Sequence, residues 1–220
     1  MCGRFALAAT GEEVAGHYDL SEVPLIVPRY NIAPTQPVAA VRLNERGERE
    51  LTHFQWGLIP SWAKDPSMGS KMINARSETA AEKPAFRAAF KRRRCLIPAT
   101  GFYEWRKVGG GKQPMYIHGA GSNLVSLAGL WEVWHGPDGG MLETCTILTT
   151  TPNALMEPIH NRMPVLVDPL DYGMWLDPET ALDQLNHLLR PYDPERMAAY
   201  PVSTAVNRPA NDSAELIQPA

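Results

Sequence analysis

The sequence predicts an α+β fold built on antiparallel sheet. Three observations point there. Strand-like segments follow one another across turns rich in glycine or asparagine, helical periodicity is confined to a few short stretches, and strand and helix do not alternate as a doubly wound parallel sheet requires. The 220 residues suffice for a sizeable core, and one domain over 1–220 is expected, large enough to work as a monomer.

Thr10 is placed to cap a short helix running through Glu12, Glu13, Val14 and Tyr18. Residues 38–43 and 51–56 flank Asn44-Glu45-Arg46-Gly47 and read as a hairpin. Residues 83–93 have a helical pattern, with Ala85, Phe86, Ala89 and Phe90 on one side. The segment 102–108 turns at Gly109-Gly110-Gly111 and returns through 113–118. The segment 124–134 turns at Gly136-Pro137-Asp138-Gly139-Gly140 and returns through 141–149. Two later helices are expected, around 169–175 and 178–189. The prolines are scattered, as in a loop-rich fold rather than a rigid spacer.

Composition narrows the class. Apolar residues make up 44% and charged residues 20%, the balance of a soluble globular protein. No apolar run approaches the ~20 residues of a membrane span. Met1-Cys2-Gly3-Arg4-Phe5 lacks the features of a signal peptide, so a cytoplasmic location is expected. A net charge of −3 argues against unspecific coating of nucleic acid but leaves room for a local basic groove. The basic run of Arg87 and Lys91-Arg92-Arg93-Arg94 reads as a solvated helix face. The three cysteines are too widely spaced for a disulfide framework or a zinc site. Cys95 and Cys145 read as small apolar residues on buried strands. No metal or cofactor is expected.

Cys2 differs from them. Once Met1 is removed, it carries a free α-amine and a thiol on adjacent carbons. These titrate near ~7.7–8.0 and ~8.5, so reactive forms of both exist at neutral pH. Such an aminothiol condenses with an aldehyde to an imine, and the sulfur then closes a five-membered thiazolidine. Gly3 adds no side chain to crowd that ring. Taken alone, a Met-Cys start is more often a tolerant, frayed terminus. An N-terminal cysteine also serves glutamine amidotransferases that begin Met-Cys-Gly, where the thiolate attacks an amide.

Other polar residues stand in apolar company. Asn74 and Arg76 are two apart in Met72-Ile73-Asn74-Ala75-Arg76-Ser77-Glu78-Thr79 and share a side if that segment is extended. An amide there suits a substrate and a guanidinium suits a phosphate, although an asparagine turn before a helix fits equally well. Glu104 sits among three aromatics in Gly101-Phe102-Tyr103-Glu104-Trp105, a setting that favours acid–base work if the carboxylate points inward. In Pro158-Ile159-His160-Asn161-Arg162-Met163-Pro164, His160 has the range of a proton shuttle and Arg162 lies two residues on. Trp56 reads as core. Trp62, beside Ala63-Lys64-Asp65, is the candidate for exposure and for stacking a base.

Together these segments resemble one family, the SOS-response-associated peptidase (SRAP) family of abasic-site processing proteins. The likeness runs in order through Met1-Cys2-Gly3-Arg4, Tyr30-Asn31-Ile32-Ala33-Pro34-Thr35, Trp56-Gly57-Leu58-Ile59-Pro60-Ser61-Trp62, the segments around Asn74, Glu104 and His160, and Pro201-Val202-Ser203 and Glu215-Leu216-Ile217 in the tail. The resemblance implies a central, mostly antiparallel, barrel-like sheet flanked by helices. It implies a sensor of abasic sites in single-stranded DNA that forms a covalent thiazolidine crosslink through Cys2. A weak lyase activity and a peptidase role in Met1 removal go with it. Cys2, Asn74, Glu104 and His160 match the family's active residues, and Arg4, Arg76 and Arg162 match its expected DNA contacts. Many members carry an acid directly after the histidine, where this chain has Asn161. Two other classes stay open at this point: the amidohydrolase, and a DNA-binding module in which Cys2 is structural.

Overall fold

The computed structural model describes residues 2–220. β1 (Phe5–Leu7) leads into α1 (Gly11–Tyr18), β2 (Arg29–Ile32), β3 (Pro37–Leu43) and β4 (Arg49–Trp56). A 3-10 turn over Pro66–Lys71 precedes β5 (Asn74–Arg76), α2 (Ser77–Ala80) and α3 (Arg87–Arg92). Then come β6 (Arg94–Ala99), β7 (Gly101–Val108), β8 (Gly111–Gly119), β9 (Val125–His135) and β10 (Met141–Thr150). The final third holds β11 (Met163–Pro164), α4 (Tyr172–Leu176), α5 (Leu182–Leu185) and β12 (Met197–Pro201).

The larger sheet runs β10-β4-β3-β6-β9 and closes on itself, because β9 pairs back to β10 from Met141↔His135 to Ile147↔Gly129. The ring is antiparallel except at the β4–β10 joint, where Thr144 faces Gln55 and Cys145 faces Trp56 in parallel. This is the expected barrel-like, mostly antiparallel sheet. Closure removes the exposed edges that an open sheet would carry. β10 outlasts its neighbours, and its far end takes β5 on one side and β11 on the other. The second sheet is ordered β12-β8-β7-β1-β2.

Local chemistry explains the hairpins and the first helix. Between β3 and β4, the Asn44 side chain accepts the Arg46 and Glu48 backbone N–H groups, and Gly47 takes a φ of 76°. Gly57 ends β4 at φ 133°, with its Cα so close to Gly69 that a side chain would strike that residue's carbonyl at 2.6 Å. Thr10 and Glu13 form a reciprocal capping box at the start of α1. One large apolar cluster, including Trp56, Phe54, Leu96, Ile147 and Trp175, packs the barrel and joins it to the second sheet. A smaller cluster of Ala6, Tyr103, Tyr116, Val202, Val206 and Leu216 lies under the C-terminal segment.

Two helices are shorter than expected, and a third is 3-10 in its first turn. In the segment 83–93, Pro84 lacks an N–H, and regular helix begins only at Arg87. In 178–189, the Asp177 carboxylate and carbonyl capture the Glu179 and Thr180 N–H groups, so helix is limited to Leu182–Leu185 and a 3-10 turn over Asn186–Leu189. In 169–175, Asp168 caps a 3-10 turn that runs into α4.

The basic run is a solvated face only in part: Arg87, Lys91 and Arg92 are exposed, whereas Arg93 and Arg94 are not. Arg94 is 2% exposed and starts β6. Its guanidinium donates to the Phe90 and Lys91 carbonyls at the end of α3, at 2.7 and 2.8 Å, and to the Trp175 carbonyl at 2.6 Å and that of Asp177 at the end of α4. One cation thus satisfies the orphan carbonyls of two helix C-termini. Arg93 pairs with the buried Glu132 at 2.6 Å. Arg94→Ala is expected to lower stability by about 3–5 kcal/mol, because four carbonyl acceptors, those of Phe90 and Trp175 in buried bonds, lose their donor. Arg92→Ala, on the exposed side, should stay within about 0.5 kcal/mol. Urea midpoints at constant m would read both. Equal, small shifts would return Arg94 to the surface.

Candidate active site

The N-terminal segment enters the molecule as a continuation of β1. Phe5 pairs with Phe102 on β7, and the Tyr103 N–H donates to the Arg4 carbonyl at 2.9 Å. That register brings Cys2 beside Glu104. Cys2 is 0% exposed and Glu104 only 3%. On the other side lies β5, whose Asn74 donates from Nδ2 to the Cys2 carbonyl at 2.8 Å. The Asn74 Oδ1 is buried and has no hydrogen-bond partner among the described residues. Burial pushes the Cys2 thiol well above its ordinary value, and the Glu104 charge adds to this, while the Arg4 backbone N–H pulls the other way. The thiol therefore stays protonated at neutral pH in this setting.

β10 ties this group to His160. Ile147 pairs with Asn74 and Thr149 with Arg76, both in parallel register. Arg162 reaches back to the same strand end and donates to the Thr149 carbonyl at 2.6 Å. Its guanidinium also grips both oxygens of Glu78, at 2.6 and 2.8 Å. The Arg162 backbone N–H approaches Nδ1 of His160 to 3.1 Å. The Arg162 carbonyl lies 3.3 Å from the same Nδ1, so these contacts fix the position of the ring and are compatible with either tautomer.

The structure thus joins Cys2, Asn74 and Glu104 directly and sets His160 and Arg162 at the same end of β10. Arg76 is exposed at the end of β5. Arg4 is half-buried: it donates to the Asn31 side chain at 2.7 Å and to the Val206 carbonyl at 2.8 Å, and lies over the Trp105 ring. Trp62 is 58% exposed, whereas Trp56 is fully buried. The Trp62 loop is anchored next door, where Trp134 donates to the Ala63 carbonyl at 2.7 Å. Cys95 and Cys145 are buried on β6 and β10, as their sequences suggested. The expected removal of Met1 concerns a residue outside those described. Among the described residues, no three His, Cys, Asp or Glu side chains are grouped as metal ligands would be.

A family model described as SOS response associated peptidase (SRAP) matches residues 1–209. The chain belongs to the SRAP family. Among SRAP relatives, the "Abasic site processing protein YoqW" of Bacillus subtilis (strain 168) is 46% identical over 223 residues, covering 99% of each protein. The "Abasic site processing protein HMCES" of Gallus gallus is 37% identical over 224 residues, covering 87% of this chain and 66% of that protein. A solved structure from Bacteroides thetaiotaomicron is 28% identical and matches all of both chains with a TM-score of 0.90.

Two supports of this SRAP site escaped sequence reasoning. Asn31 is fully buried: it accepts from Arg4 and donates to the carbonyls of Val206, Arg208 and Asn211, tying the N-terminal arm to the tail. Its signal was an amide set between apolar residues on a strand. Glu78 left no such mark, because a glutamate on a short helix reads as surface.

Proposed function

We propose that this chain processes abasic sites in single-stranded DNA by covalent capture on Cys2. The observation that carries the reading is a buried Cys2 held by Asn74 and flanked by the Glu104 carboxylate. The relatives named above, called abasic site processing proteins, support it. With Met1 removed, the Cys2 amine attacks the open-chain aldehyde of the abasic sugar and water leaves, giving an imine. The sulfur then adds to the imine carbon as its proton passes to nitrogen. The sum is aldehyde plus aminothiol to thiazolidine plus water.

Glu104 moves the proton at the sugar oxygen and the amine. His160 assists protonation as the imine forms. The open Oδ1 of Asn74 accepts from the Cys2 amine or a sugar hydroxyl, while Nδ2 holds the Cys2 carbonyl. The protonated state of the thiol makes the amine the first nucleophile. β-Elimination from the imine gives a weak lyase activity, and hydrolysis of the Met1–Cys2 bond in the same pocket is the peptidase role. Arg4, Arg76 and Arg162 serve the DNA backbone, and the exposed Trp62 stacks a base. No metal or cofactor enters the reaction.

The test uses Met1-processed protein and single-stranded DNA with one abasic site, in natural and borohydride-reduced forms. After heating in denaturant, a slow-moving band is expected with the natural site alone, since reduction removes the aldehyde. No band with either, with Met1 shown absent by mass, would leave a binding module or an amide-hydrolysing enzyme.

A further inference from the structure

Cys2 and Glu104 account for the inner end of β7, but the strand continues outward with cations. From Trp105 to Trp131 the sequence contains Arg106, Lys107 and Lys112 and no acidic residue, although the chain as a whole is net −3. On the β7–β8 hairpin, Lys107 stands directly opposite Lys112, an arrangement that like charges disfavour. Arg106 is the informative residue. Its Nε is buried without a hydrogen-bond partner, as are those of Arg4, Arg93 and Arg162, whose other guanidinium nitrogens find acceptors. Among the described residues, every other arginine that is not exposed has a carboxylate, carbonyl or amide acceptor: Arg4, Arg29, Arg42, Arg49, Arg93, Arg94 and Arg162. Arg106 has none. A buried guanidinium N–H without an acceptor is costly unless a ligand supplies one.

Its placement names the ligand. The β7–β8 register is unbroken from Phe102↔Ile117 to Val108↔Gly111, so residues two apart share a face. Arg106 therefore lies on the Glu104 face, about 7 Å further along the strand at two strand steps. A fork of N–H donors one sugar's breadth from the reacting carboxylate suits a phosphodiester oxygen.

We propose that Arg106 binds the phosphate flanking the abasic nucleotide. This deepens the covalent-capture reading, because it places the DNA backbone relative to Cys2.

Binding is measurable without chemistry. Intact single-stranded DNA is titrated against wild type, Arg106→Gln and Arg106→Lys over a range of salt. Arg106→Gln should weaken binding about 3–10-fold at low salt and flatten the log–log salt slope by about 0.7, the share of one single-strand phosphate. Arg106→Lys should restore the slope. A second arm replaces the flanking phosphate of an abasic oligonucleotide by uncharged methylphosphonate. Wild type should lose several-fold in affinity, and Arg106→Gln should lose nothing further. An unchanged salt slope in Arg106→Gln, or an equal methylphosphonate penalty in both proteins, overturns the proposal. A change in thermal stability alone also overturns it, since that is the signature of packing. Absence of a crosslink in wild type would count against covalent capture but leave the titration with intact DNA readable.

Discussion

Cys2→Ser should abolish the heat-stable adduct while sparing the imine. Serine keeps the α-amine, and its small side chain also permits removal of Met1. The amine still condenses with the sugar aldehyde, but the hydroxyl closes the ring far less readily than sulfur. Without reductant, the heated gel should show at least a hundredfold less crosslink. With borohydride present during the reaction, the imine should be trapped in amounts comparable to wild type. This pair of measurements separates the two atoms that Cys2 contributes. A heat-stable adduct at wild-type level in Cys2→Ser would place the nucleophile elsewhere in the chain. Loss of the borohydride-trapped species as well would mean that the fold around the 0%-exposed position had failed, and a melting curve would show it.

Glu104→Gln is expected to slow crosslinking by about 100- to 10,000-fold at neutral pH, the range of a lost general acid–base group. Two effects oppose each other here. In the proposed mechanism the carboxylate moves protons, and its charge helps hold the Cys2 thiol protonated. Removing the charge brings the thiol down toward its ordinary value. Because that value stays raised by burial, the variant should regain rate as pH rises, where more thiolate and more free amine are present. Rate against pH in single-turnover crosslinking reads both effects. A variant as fast as wild type at neutral pH would reduce Glu104 to a structural carboxylate.

The hairpins were legible because they carry their own signal: Asn44 and Gly47 at one turn, the glycine runs at two others, and alternating apolar residues between them. Closure of the barrel was not, since the parallel joint of β4 to β10 links residues nearly ninety apart and leaves no local trace. Helix lengths were overestimated where Pro84 and Asp177 offered the backbone another arrangement. Arg94 was misread for a related reason. A charged residue is assigned to water by default, and only the meeting of two helix ends, α3 and α4, makes its burial favourable. Within the site, each motif was visible as a cluster of odd company, and the order of the motifs along the chain gave the family. What no motif could show is the wiring: Asn31 to the tail, Glu78 to Arg162, and the vacant acceptor demand of Arg106. These depend on partners far away in sequence.

The deep seat of Cys2 imposes a schedule on synthesis. In the folded chain its side chain is sealed off, and the groups that seal it, Asn74 and Glu104, are made 72 and 102 positions later. At roughly 5–20 residues per second, Glu104 follows Cys2 off the ribosome by about 5–20 s. During that interval the Cys2 side chain has neither neighbour and is open to solvent. Once the chain has folded, Asn74 and Glu104 stand around Cys2, so its bare stage belongs to the growing chain.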